Sequence, residues 1–289
     1  MDNLRAVLSV SQGERIAVVA RQVVEQVEYL RRLHMSAHLP SMLVVGGGDV
    51  GIGFLKALFN EYPPKRGAAH VRPTAFVTTR TEKGVARICA ELGLLNNMEV
   101  GVWMRPLLLD PSNWLDCVGL AVGFKMSGHT LTHIVLSAGE ATPDSQVPQF
   151  AEQEHMRIHT SQMYNFQANV EPKKLPFSAL LQAGLLTNAH IVVVSSIAAL
   201  FDPNDEQCRD QSGYIKAMYL LDVAFTKEKR CNPELHLEIW HCPLVQGATE
   251  QRYKKLGIVS ADLVVPSAAE IARTLLFGRK LSENISATV

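Results

Sequence analysis

The residues with the plainest chemical promise are glycines. An apolar run, Met42-Leu43-Val44-Val45, leads straight into Gly46-Gly47-Gly48-Asp49-Val50-Gly51-Ile52-Gly53, and Phe54, Leu55, Leu58 and Phe59 follow at helical spacing. A glycine-rich turn between strand and helix lets backbone approach a pyrophosphate. The start of the helix adds amide donors and the positive end of its dipole. Gly47, Asp49, Gly51, Ile52 and Gly53 are therefore candidate dinucleotide contacts. A tight turn that simply needs positive φ is the competing reading. The second apolar run ends on Thr78-Thr79-Arg80, where no carboxylate stands to accept ribose hydroxyls. Arg80 could meet a 2′-phosphate by charge-assisted hydrogen bonds, which favours NADP(H) over NAD(H) as cofactor; a solvated loop arginine is the alternative.

Other reactive side chains carry weaker patterns. His129/His133 and His155/His159 are i, i+4 pairs, but neither is H-E-x-x-H, and no metal site is expected. The five cysteines (Cys89, Cys117, Cys208, Cys231 and Cys242) are odd in number and contain no C-x-x-C, so they read as reduced thiols of an intracellular protein. Cys242 reads as a buried inert thiol. Nucleophile elbow, Ser-His-Asp order and G-K-[ST] phosphate loop are all absent from the sequence.

The elements that must position these residues alternate. Apolar β-rich runs lie at Met42–Val45, Ala75–Thr79, Val100–Met104, Thr132–Leu136, His190–Val194 and Leu235–Trp240, with helical patterns between most of them. Near-continuous Val/Ile/Leu strands separated by helices imply a doubly wound, mostly parallel, Rossmann-like α/β sheet. Before it, Ser11 and Glu14 form a capping box, and Ile16, Ala20, Val23, Val27 and Leu30 share one helical face. Residues 1–39 thus read as a helical extension, either packed on the body or offered to a partner, and residues 40–289 as one domain. Asn60–Pro73 reads as a surface loop.

Composition bounds the partners. Hydrophobic residues at 47% and charged residues at 19% exclude a disordered chain. Lys plus Arg and Asp plus Glu are 28 each, so no basic nucleic-acid footprint shows in the balance. The longest apolar run, His190–Phe201, falls short of the roughly 20 residues of a membrane span. A cytoplasmic location is expected. Mitochondrial import stays open, since Arg5, Arg15, Arg21, Arg31 and Arg32 are set against Glu14, Glu25 and Glu28.

The spacing of Gly47, Gly51 and Gly53, G-x-x-x-G-x-G, resembles that of the short-chain dehydrogenase/reductase family. Leu136-Ser137-Ala138-Gly139 is similar to the family's N-N-A-G with both asparagines lost. Ile191–Ala199 is similar to its serine-bearing strand, with Ser196 in the serine's place. Asn169-Val170, followed by Leu175-Pro176-Phe177 and Leu180-Leu181, matches its asparagine helix. The resemblance covers about residues 41–280. It implies some seven strands, cofactor contacts at Ala138 and Gly139, and an oxidoreductase for a small carbonyl or alcohol. In that reading Tyr214 is the acid, Ser196 the polariser and Asn169 the anchor of a relay water. It also implies a homodimer or homotetramer built on helices within Gln149–Gln182 and Tyr214–Lys229, where Met156, Ile158, Met163, Tyr164 and Phe166 stand.

Three departures stand against catalysis. The family's lysine, four residues after the tyrosine, is Met218 here, and its Pro-Gly after the sixth strand is Pro243-Leu244. The third is the pair of lost asparagines. Lys216 is no substitute, because two residues along a helix turn about 200°. Pairing Ser212 with Lys216 would keep a lysine, but periodicity then turns Asp222 toward the sheet in place of Leu221 and Phe225. The alternative to an enzyme is thus a catalytically degenerate member serving as a binding or structural subunit.

Overall fold

Six apolar segments pair into one sheet: β1 (Ser41–Val45), β2 (Thr74–Thr79), β3 (Met104–Leu108), β4 (His133–Leu136), β5 (His190–Ser196) and β6 (His236–Cys242). The computed structural model describes residues 2–32, 40–61, 73–92, 104–140, 142, 144–147, 154–202, 204, 211–243, 245–246, 248–255, 260 and 265–277. The order is β3-β2-β1-β4-β5-β6, and every pairing is parallel. Strand order reverses between β1 and β4, which opens a crevice at their carboxyl ends.

Helices cover both faces, so β1 and the centre of β5 are buried on both sides and read as unbroken apolar runs. One face is packed by α1 (Asp2–Arg32), α4 (Trp114–Ser127), α6 (Glu171–Gln182) and α7 (Ser212–Cys231), with Phe166 of α5 (Glu154–Asn169) at its margin. The other is packed by α2 (Asp49–Glu61), α3 (Glu82–Glu91) and α9 (Ala268–Phe277). A short α8 (Ala248–Lys255) precedes α9. No described helix is long and apolar enough to cross a membrane.

Helix α1 lays Val19, Val23, Val27 and Leu30 into the main core. It lies close on α4, where a Cβ added at Gly119 or Gly123 would stand 2.7 and 2.6 Å from the Cβ of Val19 and Val23. Arg15 also donates twice to Asp116, at 2.5 and 3.0 Å. The helix begins at Asp2, so Ser11 and Glu14 lie inside it and do not cap its start. The good helix formers Leu4, Arg5 and Ala6 extend it upstream.

The third strand is also displaced. It is Met104–Leu108, not Val100–Met104, and residues 93–103 lie outside the described ones. Arg105 and Pro106 mask it in the sequence, yet β3 is an edge strand, where proline is tolerated. The Arg105 guanidinium lies 3.8 Å over the Tyr29 ring of α1.

Helix α7 turns Leu221 and Phe225 fully inward, as its periodicity requires. Asp222 reaches the sheet as well, which the expectation excluded. It accepts Ser195 Oγ from β5 and faces His241 Nε2 from β6, each at 2.5 Å. Two polar partners on the strands make that approach tolerable for a carboxylate.

Candidate active site

The glycine turn stands at the carboxyl end of β1. The residue with left-handed backbone is Gly46, at φ +104°, just outside the 47-51-53 spacing; a Cβ there would come 2.5 Å from Ala138 Cα. Gly46 and Gly47 amides donate to Thr78 Oγ1 and Thr78 O, which ties the turn to β2. Helix α2 then starts at Asp49, so the amide end of the helix stands directly behind the turn. A Cβ at Gly51 would meet Gly46 O at 2.0 Å, so the helix must start close to the turn. Ile52 and Gly53 face elsewhere. They line a small hollow with Lys56 and Ser267, and Gly53 abuts Ala268 of α9, so their part is packing and not the cleft wall.

A cleft of about 680 Å³ opens over this turn. Gly46, Gly47 and Gly48 form its floor, Arg80 and Arg87 stand on the β2 side, and Ala138 and Gly139 on the β4 side. A Cβ at Gly48 would meet nothing within 4 Å, so backbone here faces open space. Arg87 pairs with Asp49, which offsets an acid otherwise set beside the helix start. These residues suit a dinucleotide pyrophosphate: glycine backbone at the turn, helix amides behind it, two cations at the rim.

The far wall is polar, and no motif pointed to Glu140 or Thr142 there. Glu140 accepts Tyr164 Oη at 2.8 Å and Thr142 Oγ1 at 2.9 Å. The bond to Glu140 raises the Tyr164 phenol above its ordinary pKa.

Asn169 ends α5. Its side chain is spent on main chain: Oδ1 accepts Glu140 N, and Nδ2 donates to Glu140 O and Asn165 O. Its carbonyl is the group left for another donor. The helix breaks at Val170, where Lys173 and Lys174 amides turn to Val170 O, and Lys173 Nζ donates to Asn169 O at 2.9 Å. Lys173 is 3% exposed. Burial pushes its ammonium down to about 7, opposed by the Cys242 thiol, which is itself pushed up to about 12 by burial. Gly139, at φ +149°, makes room: a Cβ there would stand 2.5 Å from Asn169 Oδ1 and 3.0 Å from Lys173 Nζ.

Ser196 is the last residue of β5, beside Cys242 in register. Its Oγ accepts the Ala198 amide at 3.2 Å, and the same hydroxyl keeps a proton to donate. Tyr214 stands in the first turn of α7, half-buried against the main core. Met218, one turn on, is 2% exposed in that core. Asp144 fixes the start of α7: its carboxylate accepts Ser212 Oγ at 2.8 Å, Gly213 N at 3.2 Å and Ser161 Oγ. Asn169, Ser196 and Tyr214 are not among the residues lining the large cleft. Leu244 lies outside the described residues.

Solved structures with this architecture are numerous. A short-chain type dehydrogenase/reductase from Mycobacterium ulcerans superposes with a TM-score of 0.60 at 16% identity, over 87% of this chain and 86% of that one. An actinorhodin polyketide ketoreductase variant with NADPH gives 0.62 at 13%, over 88% and 95%. An alcohol dehydrogenase from the archaeon Thermococcus sibiricus, complexed with 5-hydroxy-NADP, gives 0.54 at 14%, over 79% and 94%. This is the short-chain dehydrogenase/reductase fold. No family model and no curated protein matches the chain. Of Lys173, Lys174 and Lys216, the lysines that could stand in for the cation missing at position 218, Lys173 is the buried one. The signal for it was the four-residue step from Asn169, one helical turn.

Proposed function

We propose that this chain is a short-chain dehydrogenase/reductase that binds NADP(H) and interconverts a small carbonyl compound and its alcohol. The observation that carries this reading is the cleft at the β1/β4 crevice, floored by Gly46–Gly48 and rimmed by Arg80 and Arg87. Arg80, directly after β2, is placed to take a 2′-phosphate, and no carboxylate competes at Thr78-Thr79-Arg80.

NADP(H), held by Gly46–Gly48, Arg80 and Arg87, would supply the hydride chemistry at the carbonyl carbon. Tyr214 gives its phenolic proton to the carbonyl oxygen, while the Ser196 hydroxyl donates to the same oxygen and holds it in line. Asn169 fixes the loop after β4 through Glu140. Lys173, buried beside Gly139 at the end of β4, provides the positive charge that position 218 lacks. A cation there favours the tyrosinate once the proton has left.

Met218 buried in apolar surroundings favours the second reading, a catalytically degenerate member serving as a binding or structural subunit. Titration with NADPH and NADH, then turnover over a panel of activated ketones, separates the two. NADPH binding with turnover supports the first; binding alone selects the second; no binding of either nucleotide ends the first and leaves the second as a structural subunit.

We further propose that the chain forms a homodimer or homotetramer. Helices α5 and α7 lie together and expose Met163, Tyr219, Leu220 and Val223. Met156 and Ile158 lie outside the residues whose side chains are described. A monomeric mass by light scattering would count against it. The described thiols Cys89, Cys117, Cys231 and Cys242 are unlinked, which suits a reducing cytoplasmic compartment.

A further inference from the structure

At the opposite edge of the sheet, histidines stand in a row. Register places His133 of β4 beside His190 of β5, and His190 beside His236 of β6. Period-2 alternation puts Glu238 on the same face as His236. His190 and His236 rings stack at 4.3 Å and 14°, and His133 follows at 5.9 Å from His190. The row is about 20 Å, the length of β5, from Ser196, and the proposed oxidoreductase chemistry makes no use of it.

Two stacked imidazoles thus face one carboxylate. His190 Nε2 is buried and makes no hydrogen bond. A buried polar atom without a partner costs about 1–3 kcal/mol. Its nearest opposite group is Glu238 Oε2 at 3.4 Å, and His236 Nε2 stands 3.7 Å from Glu238 Oε1. All three ligand atoms lie within 4.8 Å of one another. Zinc bonds nitrogen and oxygen at about 2.0–2.2 Å, and a tetrahedral angle then sets neighbouring ligand atoms roughly 3.4 Å apart. The two nitrogen–oxygen separations are near that length but run to different oxygens of Glu238, so the carboxylate faces both imidazoles.

We propose that His190, His236 and Glu238 bind one divalent transition-metal ion of the zinc class, leaving a fourth position for water or an outside ligand. The donor set decides the class. Imidazole with one carboxylate suits zinc, nickel or copper, and calcium or magnesium would demand an all-oxygen shell. Both ligating imidazoles must be neutral, so acid competes with the metal. His133 is a neighbour and not a ligand. Its Nδ1 meets Thr132 Oγ1 at 2.9 Å, and burial with two adjacent imidazoles holds its pKa down to about 4, so it adds no charge to the row.

The test is calorimetric titration of the chelator-treated full chain with zinc sulfate. One equivalent per chain binds to wild type. His236→Ala and Glu238→Gln weaken binding by at least about tenfold, since loss of even an outer-shell partner costs 10–100-fold. The His236 side chain is 70% exposed, so removing it leaves the fold intact, and a thermal melt checks this. Cys231→Ser, at an exposed thiol, keeps wild-type affinity and shows that the zinc is not on that sulfur. Absence of zinc binding at micromolar concentration, or wild-type affinity in His236→Ala, overturns the proposal. Both outcomes are independent of NADPH binding and of turnover.

Discussion

Lys173 Nζ donates to the main-chain carbonyl of Asn169, one helical turn before it, at 2.9 Å. The helix break at Val170 leaves that carbonyl without its usual amide donor, and the lysine answers from its own side chain. The ammonium is thereby held beside Gly139, at the carboxyl end of the sheet.

If Lys173 supplies the cation, Lys173→Met lowers turnover by roughly 10²–10⁴-fold, the range of general acid–base catalysis. Met218→Lys then adds nothing, because the charge is already present. A degenerate site gives the reverse pattern: no turnover in wild type and a gain in Met218→Lys. NADPH oxidation with activated ketones reads all three proteins. Undiminished turnover in Lys173→Met would sink the assignment.

Arg80→Ala should weaken NADPH binding by at least about tenfold, since a charge-assisted bond to phosphate is worth more than 1.4 kcal/mol. NADH binding should stay unchanged, because it lacks the 2′-phosphate. Equal losses for both nucleotides would move Arg80 out of the phosphate subsite. Fluorescence titration of the two nucleotides gives the ratio.

Asp144→Ala removes the acceptor for Ser212 Oγ, Gly213 N and Ser161 Oγ at the head of α7. Loss of a helix-start acceptor costs about 1–2 kcal/mol, read as a lower urea midpoint. Tyr214 sits in the turn so fixed, so kcat should fall further than stability alone explains. A melt without a kcat change would confine Asp144 to a structural part.

Two pH windows should appear in thermal melts. His129 and His133 are buried with pKa held down to about 4, by burial first, then by Arg31 for His129 and by His190 and His236 for His133. The unfolded chain binds their protons more readily, so their stabilising effect is complete above about 6.5 and is lost as pH falls toward 4. Each contributes up to about 1.4 kcal/mol per pH unit there. Lys173, pushed down to about 7, works at the alkaline side: stability rises between about 7 and 10.5 as its buried charge is shed. His133→Gln should flatten the acid slope, and Lys173→Met the alkaline one.

The fold was legible because β1, β2, β4 and β5 are near-continuous apolar runs and the glycine turn is contiguous with β1. Edge positions were harder: β3 hides behind Arg105 and Pro106, and its partner contact, Tyr29, is distant in sequence. In the site, Gly46, Ser196 and Asn169 sit at the carboxyl ends of elements, where alternation of strands and helices puts them. What periodicity could not show was the use of each group. That Asn169 spends its amide on Glu140, or that Lys173 folds back on a carbonyl, depends on a helix break at Val170. Asp222 misled for a related reason: helical phase gives a direction, but not the polar partners Ser195 and His241 waiting on the strands.

The seam between α1 and α4 bears on how the chain is made. Arg15 and Asp116 are 101 residues apart, so α1 leaves the ribosome well before its partner α4. At roughly 5–20 residues per second that delay is on the order of 5–20 s. Meanwhile Val19, Val23, Val27 and Leu30 form an amphipathic stripe with nothing to cover it. Docking then closes a loop through β1, α2, β2, α3 and β3, a long-range contact that slows folding. Helix α1 is thus made well before it is secured, and in that interval its uncovered stripe exposes the nascent chain to aggregation or chaperone capture.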